Sequence, residues 1–212
     1  MSNAPRRALV VIDVQNEYVT GDLPIEYPSV ETSLANIGRA MDAARAAGVP
    51  VIVVQNFSAP TAPLFARGSA LAELHPVVAS RPRDHYVEKS LPSAFAGTDL
   101  EAWLREHDID TLTVAGYMTH NCDASTVFHA VHAGFDVEFL ADATGSVPYE
   151  NSAGYASAQD IHRVFTVVFQ SRFAAVASTD AWIAAASSGA RLERSTIYAS
   201  NHAARERAAA AA

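Results

Sequence analysis

The chain has 212 residues, half of them hydrophobic and 18% charged, which fits one α/β domain with a substantial core and excludes wholesale disorder. Fifteen Lys and Arg against 23 Asp and Glu leave a formal charge of −8 with no compensating basic patch, which argues against nucleic acid as a partner. A single cysteine, Cys122, rules out an intrachain disulfide framework, a CxxC redox pair and a cysteine-rich zinc site.

In chain order, the basic MSNAPRRA start is followed by an apolar run, Ala8 to Ile12, that Asp13 interrupts too early for a signal peptide. No later run approaches the roughly 18 apolar residues of a membrane helix. The expectation is a cytoplasmic protein with no membrane partner. Ala8 to Val14 reads as the first strand, followed by a helix near Ser29 to Ala47 that Gly48 ends, and by a second strand at Val49 to Gln55. A segment over 56–84 carrying Pro60, Pro63, Pro76 and Pro82 exceeds the usual loop length, and two readings of it stay open: a lid, or an insertion that packs on a neighbouring subunit. Next come a strand at His85 to Glu88, a helix at Thr98 to Glu106, a strand at Thr111 to Ala115 and a helix at Cys122 to Ala133 ended by Gly134. A strand at Val137 to Leu140, a helix at Asn151 to Val164, a strand at Phe173 to Ala177 and a helix at Thr179 to Ala186 complete the rhythm. Strands alternating with helices predict an α/β fold on a parallel sheet, with one domain over 1–190 and a C-terminal tail over 191–212.

Ligands of open parallel sheets bind beyond the carboxyl ends of the strands. Three reactive side chains stand there: Asp13 closes ALVVID, Lys89 follows HYVE, and Cys122 lies beyond TLTVAGYMTHN at a helix start. Singly, each has a bland reading as a cap, a solvated end or a small buried hydrophobe. Together on one rim they make a nucleophilic set. A helix N-terminus and the Lys89 cation stabilise a thiolate, and Asp13 takes the thiol proton and returns it to a leaving amine. A strand order of 3-2-1-4 places Lys89 two strands from Asp13, so the lysine has to reach back.

The elements VVIDVQNEY, VEKSLPSAFAGTDL and AGYMTHNCDAST, in this order and at these intervals, resemble the isochorismatase-like cysteine hydrolases, which include nicotinamidases, N-carbamoylsarcosine amidases, ureidoacrylate hydrolases and streptothricin hydrolase. The resemblance runs from about residue 7 to 185. It implies a six-stranded parallel sheet with helices on both faces, an Asp13-Lys89-Cys122 triad, and a non-proline cis peptide between Tyr117 and Met118. It also implies an oxyanion hole made by the Met118 and Cys122 backbone N–H groups, and a homo-oligomer, dimer or tetramer. Where nicotinamidases carry an Asp-x-His metal element, this chain reads VVQNFSAP, so no metal and no cofactor is expected. His75 and His85 read as surface residues, and the His129 and His132 pair as a solvated or packed helix face. Gln15, Phe65, Phe95, Tyr117 and His120 are the candidate substrate-binding residues; Asp123 either caps the helix, contacts a polar substrate or faces solvent.

The function expected is hydrolysis of a small amide, carbamoyl or cyclic amide through a Cys122 thioester. The alternatives are an isochorismatase-type vinyl ether hydrolase, which needs no cysteine, and a non-catalytic small-molecule-binding relative.

Overall fold

The computed structural model describes residues 4–210. Strand β1 (Arg7–Ile12) leads through a single 3₁₀ turn, Asn16–Tyr18, to helix α1 (Val30–Ala46) and β2 (Val51–Asn56). The short α2 (Pro76–Ala79), β3 (His85–Lys89), α3 (Leu100–Glu106), β4 (Thr111–Tyr117), α4 (Ala124–His132) and β5 (Asp136–Gly145) follow. A hairpin of β6 (Tyr149–Asn151) and β7 (Gly154–Ala156) precedes α5 (Ala158–Val168), β8 (Ala175–Ala177), α6 (Thr179–Ser188) and α7 (Ile197–Ala210). The main sheet has six parallel strands in the order β3-β2-β1-β4-β5-β8.

β1 is buried along its whole length because both sheet faces are covered, and its side chains alternate between them. Leu9 and Val11 join Ile37 and Met41 of α1 and Trp182 of α6 on one face. Ala8, Val10 and Ile12 join Leu100 and Leu104 of α3 and Val127 of α4 on the other. Gly116 is obligatory near the end of β4: its φ is +120° and an added Cβ would lie 2.1 Å from the Ile12 carbonyl oxygen. That close approach brings β4 against β1 where Asp13 begins.

A buried ion pair anchors the opposite end of the sheet. Arg7 Nη2 lies 2.8 Å from Glu138 Oε1, and Glu138 Oε2 accepts from Thr113 Oγ1 at 2.8 Å and from Trp182 Nε1 at 2.9 Å. Each member is satisfied, which is what makes a buried pair tolerable. Glu138→Ala is expected to destabilise the protein by about 3–5 kcal/mol, because it strands the Arg7 charge, and Arg7→Met/Glu138→Leu to recover much of that loss. Urea denaturation of the two variants checks this.

The structure corrects three expectations and shows how the 56–84 segment is held. Residues 151–156 lie in a hairpin, not a helix: Asn151 Oδ1 accepts from Ala153 N at 2.8 Å in a side-chain turn, and α5 starts only after Ser157, whose Oγ caps Asp160 N at 3.1 Å. β5 runs to Gly145, well past Leu140, because the polar Asp142 that breaks the apolar run accepts from Thr179 N and Oγ1 at the start of α6. The helix predicted to start at Cys122 is preceded by a wide π-helical turn, Thr119–Asp123, closed by Asp123 N donating to Met118 O at 3.2 Å. The 56–84 segment has an intrachain seat: Gln15 Nε2 and Gln55 Nε2 both donate to Ala72 O, Asn16 N donates to Glu73 O, and His75 N donates to Val14 O. Helix α7 has no buried residue, and among the described residues no helix is long and apolar enough to cross a membrane.

Candidate active site

At the carboxyl end of β1, Asp13 adopts φ +51°, a left-handed conformation that aspartate enters more readily than most residues and that is enriched at functional sites. Its own N–H donates to Val54 O at 2.9 Å, so the kink stays tied to β2. Lys89 ends β3, in register with Asn56, whereas β1 ends in register with Val54; the lysine therefore stands further along the strand direction than Asp13. Two strand spacings of roughly 4.8 Å separate them laterally, and sheet twist, the Asp13 kink and the lysine's length close the gap.

Lys89 Nζ lies 2.6 Å from Asp13 Oδ2 and 3.2 Å from Cys122 Sγ. The chain has one lysine and one cysteine, and they are in contact. Both partners of the ion pair have side chains at 0% exposure. Lys89 and Cys122 are the side chains that act on the Asp13 carboxylate. Thr126 fixes Cys122: its Oγ1 donates to Cys122 O at 2.7 Å and accepts from Ala94 N at 3.0 Å, linking the turn that carries the thiol to the loop that follows Lys89. The Tyr117–Met118 peptide bond is cis.

Charge in this enclosure is set by burial. Burial pushes the Cys122 thiol up, the Asp13 charge adds to that, and Lys89 opposes it. Burial and Asp13 thus work against a thiolate at Cys122, and Lys89 works for one. Burial also raises Asp13 above the usual carboxylate range against the pull of Lys89, which makes Asp13 the more basic acceptor. For Lys89, burial acts downward, but the Asp13 carboxylate beside it pulls the other way and helps hold the ammonium above its ordinary value.

The five candidate substrate-binding residues separate. His120 lines a cleft of about 440 Å³ with Tyr149, Tyr155, Ile161 and Phe165, and packs edge-on against Tyr149 at 4.9 Å. Burial raises the Tyr149 hydroxyl above its ordinary value, and charge on Cys122 acts in the same direction. Gln15 does not serve as a free ligand: its Nε2 donates to Asn56 O and Ala72 O and its Oε1 accepts from Asn56 N, so it clasps the long loop. Tyr117 is fully buried on the sheet face opposite Cys122, with its hydroxyl 2.7 Å from Ser33 Oγ. Phe65 packs on Tyr18 on that same face at 5.2 Å. Phe95 is a core residue that stacks on His129 at 4.7 Å. Among the described residues no three His, Cys, Asp or Glu side chains group as metal ligands, and His85 stacks on Trp103.

Sequence reasoning missed Tyr18, Thr126, Tyr149 and His162. His162 is 5% exposed, faces Thr119 Oγ1 at 2.9 Å, and burial lowers it to about 4 although a bond to the Ala141 backbone opposes the shift. The unfolded imidazole titrates near 6.5, so between about pH 6.5 and 4 the unfolded chain binds a proton that the folded chain refuses. The stability tied to this group is complete above that window and falls with pH through it, by up to ~1.4 kcal/mol per pH unit. His162→Asn is expected to flatten the dependence of Tm on pH between 6.5 and 4.5; an unchanged slope refutes the assignment.

The sequence matches the Isochorismatase domain family over residues 7–181, so the chain belongs to the isochorismatase family of hydrolases. A protein of Burkholderia xenovorans LB400, provisionally named an isochorismatase and solved by crystallography, shares 76% identity and a TM-score of 0.96, covering 97% of this chain and 99% of that one. The secreted isochorismatase effector Isc1 of Verticillium dahliae is 34% identical over 65% of this chain and 71% of its own. The N-carbamoylsarcosine amidase of an Arthrobacter species is 33% identical over 61% of this chain and 56% of its own, so the match spans a little over half of that enzyme.

Proposed function

We propose that the protein is a cysteine amidohydrolase that cleaves a small amide, carbamoyl or cyclic amide substrate through a thioester on Cys122. The observation that carries this reading is the Lys89 ammonium held 2.6 Å from Asp13 and 3.2 Å from the only thiol, at the carboxyl rim of the sheet. The relative named N-carbamoylsarcosine amidase supports an amide-type substrate. Sγ attacks the carbonyl carbon as its proton passes to Asp13, and the Met118 and Cys122 backbone N–H groups receive the oxyanion. Asp13 then protonates the departing nitrogen, the C–N bond breaks, and a thioester remains. Water, deprotonated by Asp13, attacks the thioester; the acid leaves and sulfur recovers a proton. Lys89 keeps Asp13 ionised and offsets charge on sulfur during attack.

The test is a panel of primary amides, N-carbamoyl compounds and lactams, followed by ammonia or amine release and by intact mass under rapid acid quench. An acyl adduct on the wild-type chain that Cys122→Ala lacks is expected. Turnover of a vinyl ether by Cys122→Ala refutes the covalent reading in favour of isochorismatase-type chemistry.

A further inference from the structure

Of the nine large hydrophobic side chains exposed among the described residues, five lie on α5 and the first turn of α7: Val164 (49% exposed), Val167 (63%), Val168 (40%), Ile197 (54%) and Tyr198 (78%). Exposed apolar residues scattered singly need no explanation, but a cluster rimmed by charge marks an interaction surface. The two groups are linked: Ser171 Oγ donates to Val168 O at 2.7 Å, and Ser171 shares a surface cleft with Ile197 and Tyr198. α5 already buries its inner side through Ala158 and His162, so the valines add nothing to packing within the chain. Helix α7 is in a similar position. None of its 14 residues is buried, and a helix of ~12–15 residues without tertiary packing is marginal in water.

The charges beside the valines decide what covers them. Asp160, Val164, Val168 and Arg172 recur every four residues along α5 and the π-helical turn Phe169–Phe173 that continues it, and all four are exposed. Residues four apart share a helix face, so the stripe has a carboxylate at its N-terminal end, valines in the middle and a guanidinium at its C-terminal end. The charged pair and the valine pair share one midpoint, Thr166. Laid antiparallel about a two-fold axis level with Thr166, the stripe therefore meets itself with Val164 on the partner's Val168 and Asp160 opposite the partner's Arg172, at both ends. Among the described residues the Arg172 guanidinium has no ion-pair or hydrogen-bond partner. Asp160 accepts from Arg163 at 2.9 Å and from Ser157 at 2.8 Å, and a carboxylate has lone pairs for a further donor. A chain with a formal charge of −8 is poorly matched to an anionic lipid surface, whereas its own stripe answers it in both polarity and shape.

We infer that the protein self-associates through this face: a second copy packs its own α5 antiparallel on the first, with the valines at the centre and Asp160 paired with the partner's Arg172 at the rim. Ile197 and Tyr198 extend the buried area at each end. The inference is independent of the chemistry proposed at Cys122.

Sedimentation equilibrium of the full chain over a concentration series tests this. The wild type is expected at twice the 22.5 kDa of one chain. Val164→Glu alters a position half-exposed in the monomer, so the fold is expected to survive, with a native far-UV spectrum and a cooperative unfolding transition. The two-fold axis buries its new charge twice, and the dimer Kd is expected to rise at least about 100-fold. Arg172→Glu and Asp160→Lys each set like charges against each other at both ends, and each alone is expected to raise Kd at least about tenfold. Mixed in equal amounts, the two charge variants are expected to form a dimer within a factor of about three of the wild-type Kd, because every carboxylate at these positions again faces a cation. That recovery also requires both variants to be folded. A monomeric wild type overturns the inference, whatever other partner the face then takes. A dimer indifferent to Val164→Glu and to both charge variants uses another surface, which overturns it too. Charge variants that dissociate alone and stay apart when mixed also overturn it, since the antiparallel pairing then has no part in association.

Discussion

Cys122→Ala is expected to lose kcat by on the order of 10⁴ or more, equivalent to about 5 kcal/mol of barrier, while keeping the fold. The size follows from chemistry, since no other thiol exists in the chain and Sγ forms the bond on which the proposed intermediate depends. Cys122 is 6% exposed and packs with Ala94, Phe95 and Val127, so a methyl group in place of sulfur removes little volume and the Tm shift is expected to be small. Iodoacetamide is expected to add one mass increment to the wild type and none at this position in the variant. Full turnover by Cys122→Ala on an amide that the wild type cleaves would end the thioester mechanism.

Asp13→Asn and Lys89→Met are each expected to lower kcat by about 10²–10⁴, and the double variant to be little worse than either single one. The two groups form one proton-handling unit: once the base is gone, a cation that holds it ionised has nothing left to hold. Stability should behave in the opposite way. Each single change strands one buried charge at a cost of about 3–5 kcal/mol, whereas the double change removes both and is expected to recover part of the loss. A thermodynamic cycle by urea denaturation, run beside a kinetic cycle on the same four proteins, separates the two effects. Additive losses in kcat would show that Asp13 and Lys89 act independently, and additive losses in stability would show that their contact at 2.6 Å is not an ion pair.

Metal-independent activity is the expectation from the missing Asp-x-His element, to be checked by chelation, and the placement of His85 and His129 against Trp103 and Phe95 gives these rings packing roles. His129 also lies 3.3 Å from Ser93 Oγ, in the loop that Thr126 ties to the nucleophile turn. The helix face bearing His129 thus contributes to the frame that holds Lys89 and Cys122 together.

The sheet and its three rim residues were legible in the amino-acid order. Strands buried on both faces read as unbroken aliphatic runs, the alternation with helices implies parallel pairing, and chemistry on such a sheet lies just past the ends of those runs, where Asp13, Lys89 and Cys122 stand. Each of these signals is carried by neighbouring residues, because partition from water acts on every side chain in place. Other features depended on groups distant in the chain. Gln15 read as a ligand because a sequence does not show that Ala72 and Asn56 use both ends of its amide. The span from Lys89 back to Asp13 needs the twist of three strands, and the upward push of burial on the Cys122 thiol needs an enclosure built from β1, β3 and the turn at Thr119–Asp123. Asp123 is the sharpest case. Its neighbours in sequence leave a helix cap, a contact to a polar substrate and a solvent-facing residue all open, but the wide turn closed onto Met118 O places it wholly inside the protein, where desolvation, a property of the assembled surroundings, pushes its carboxyl above the usual range.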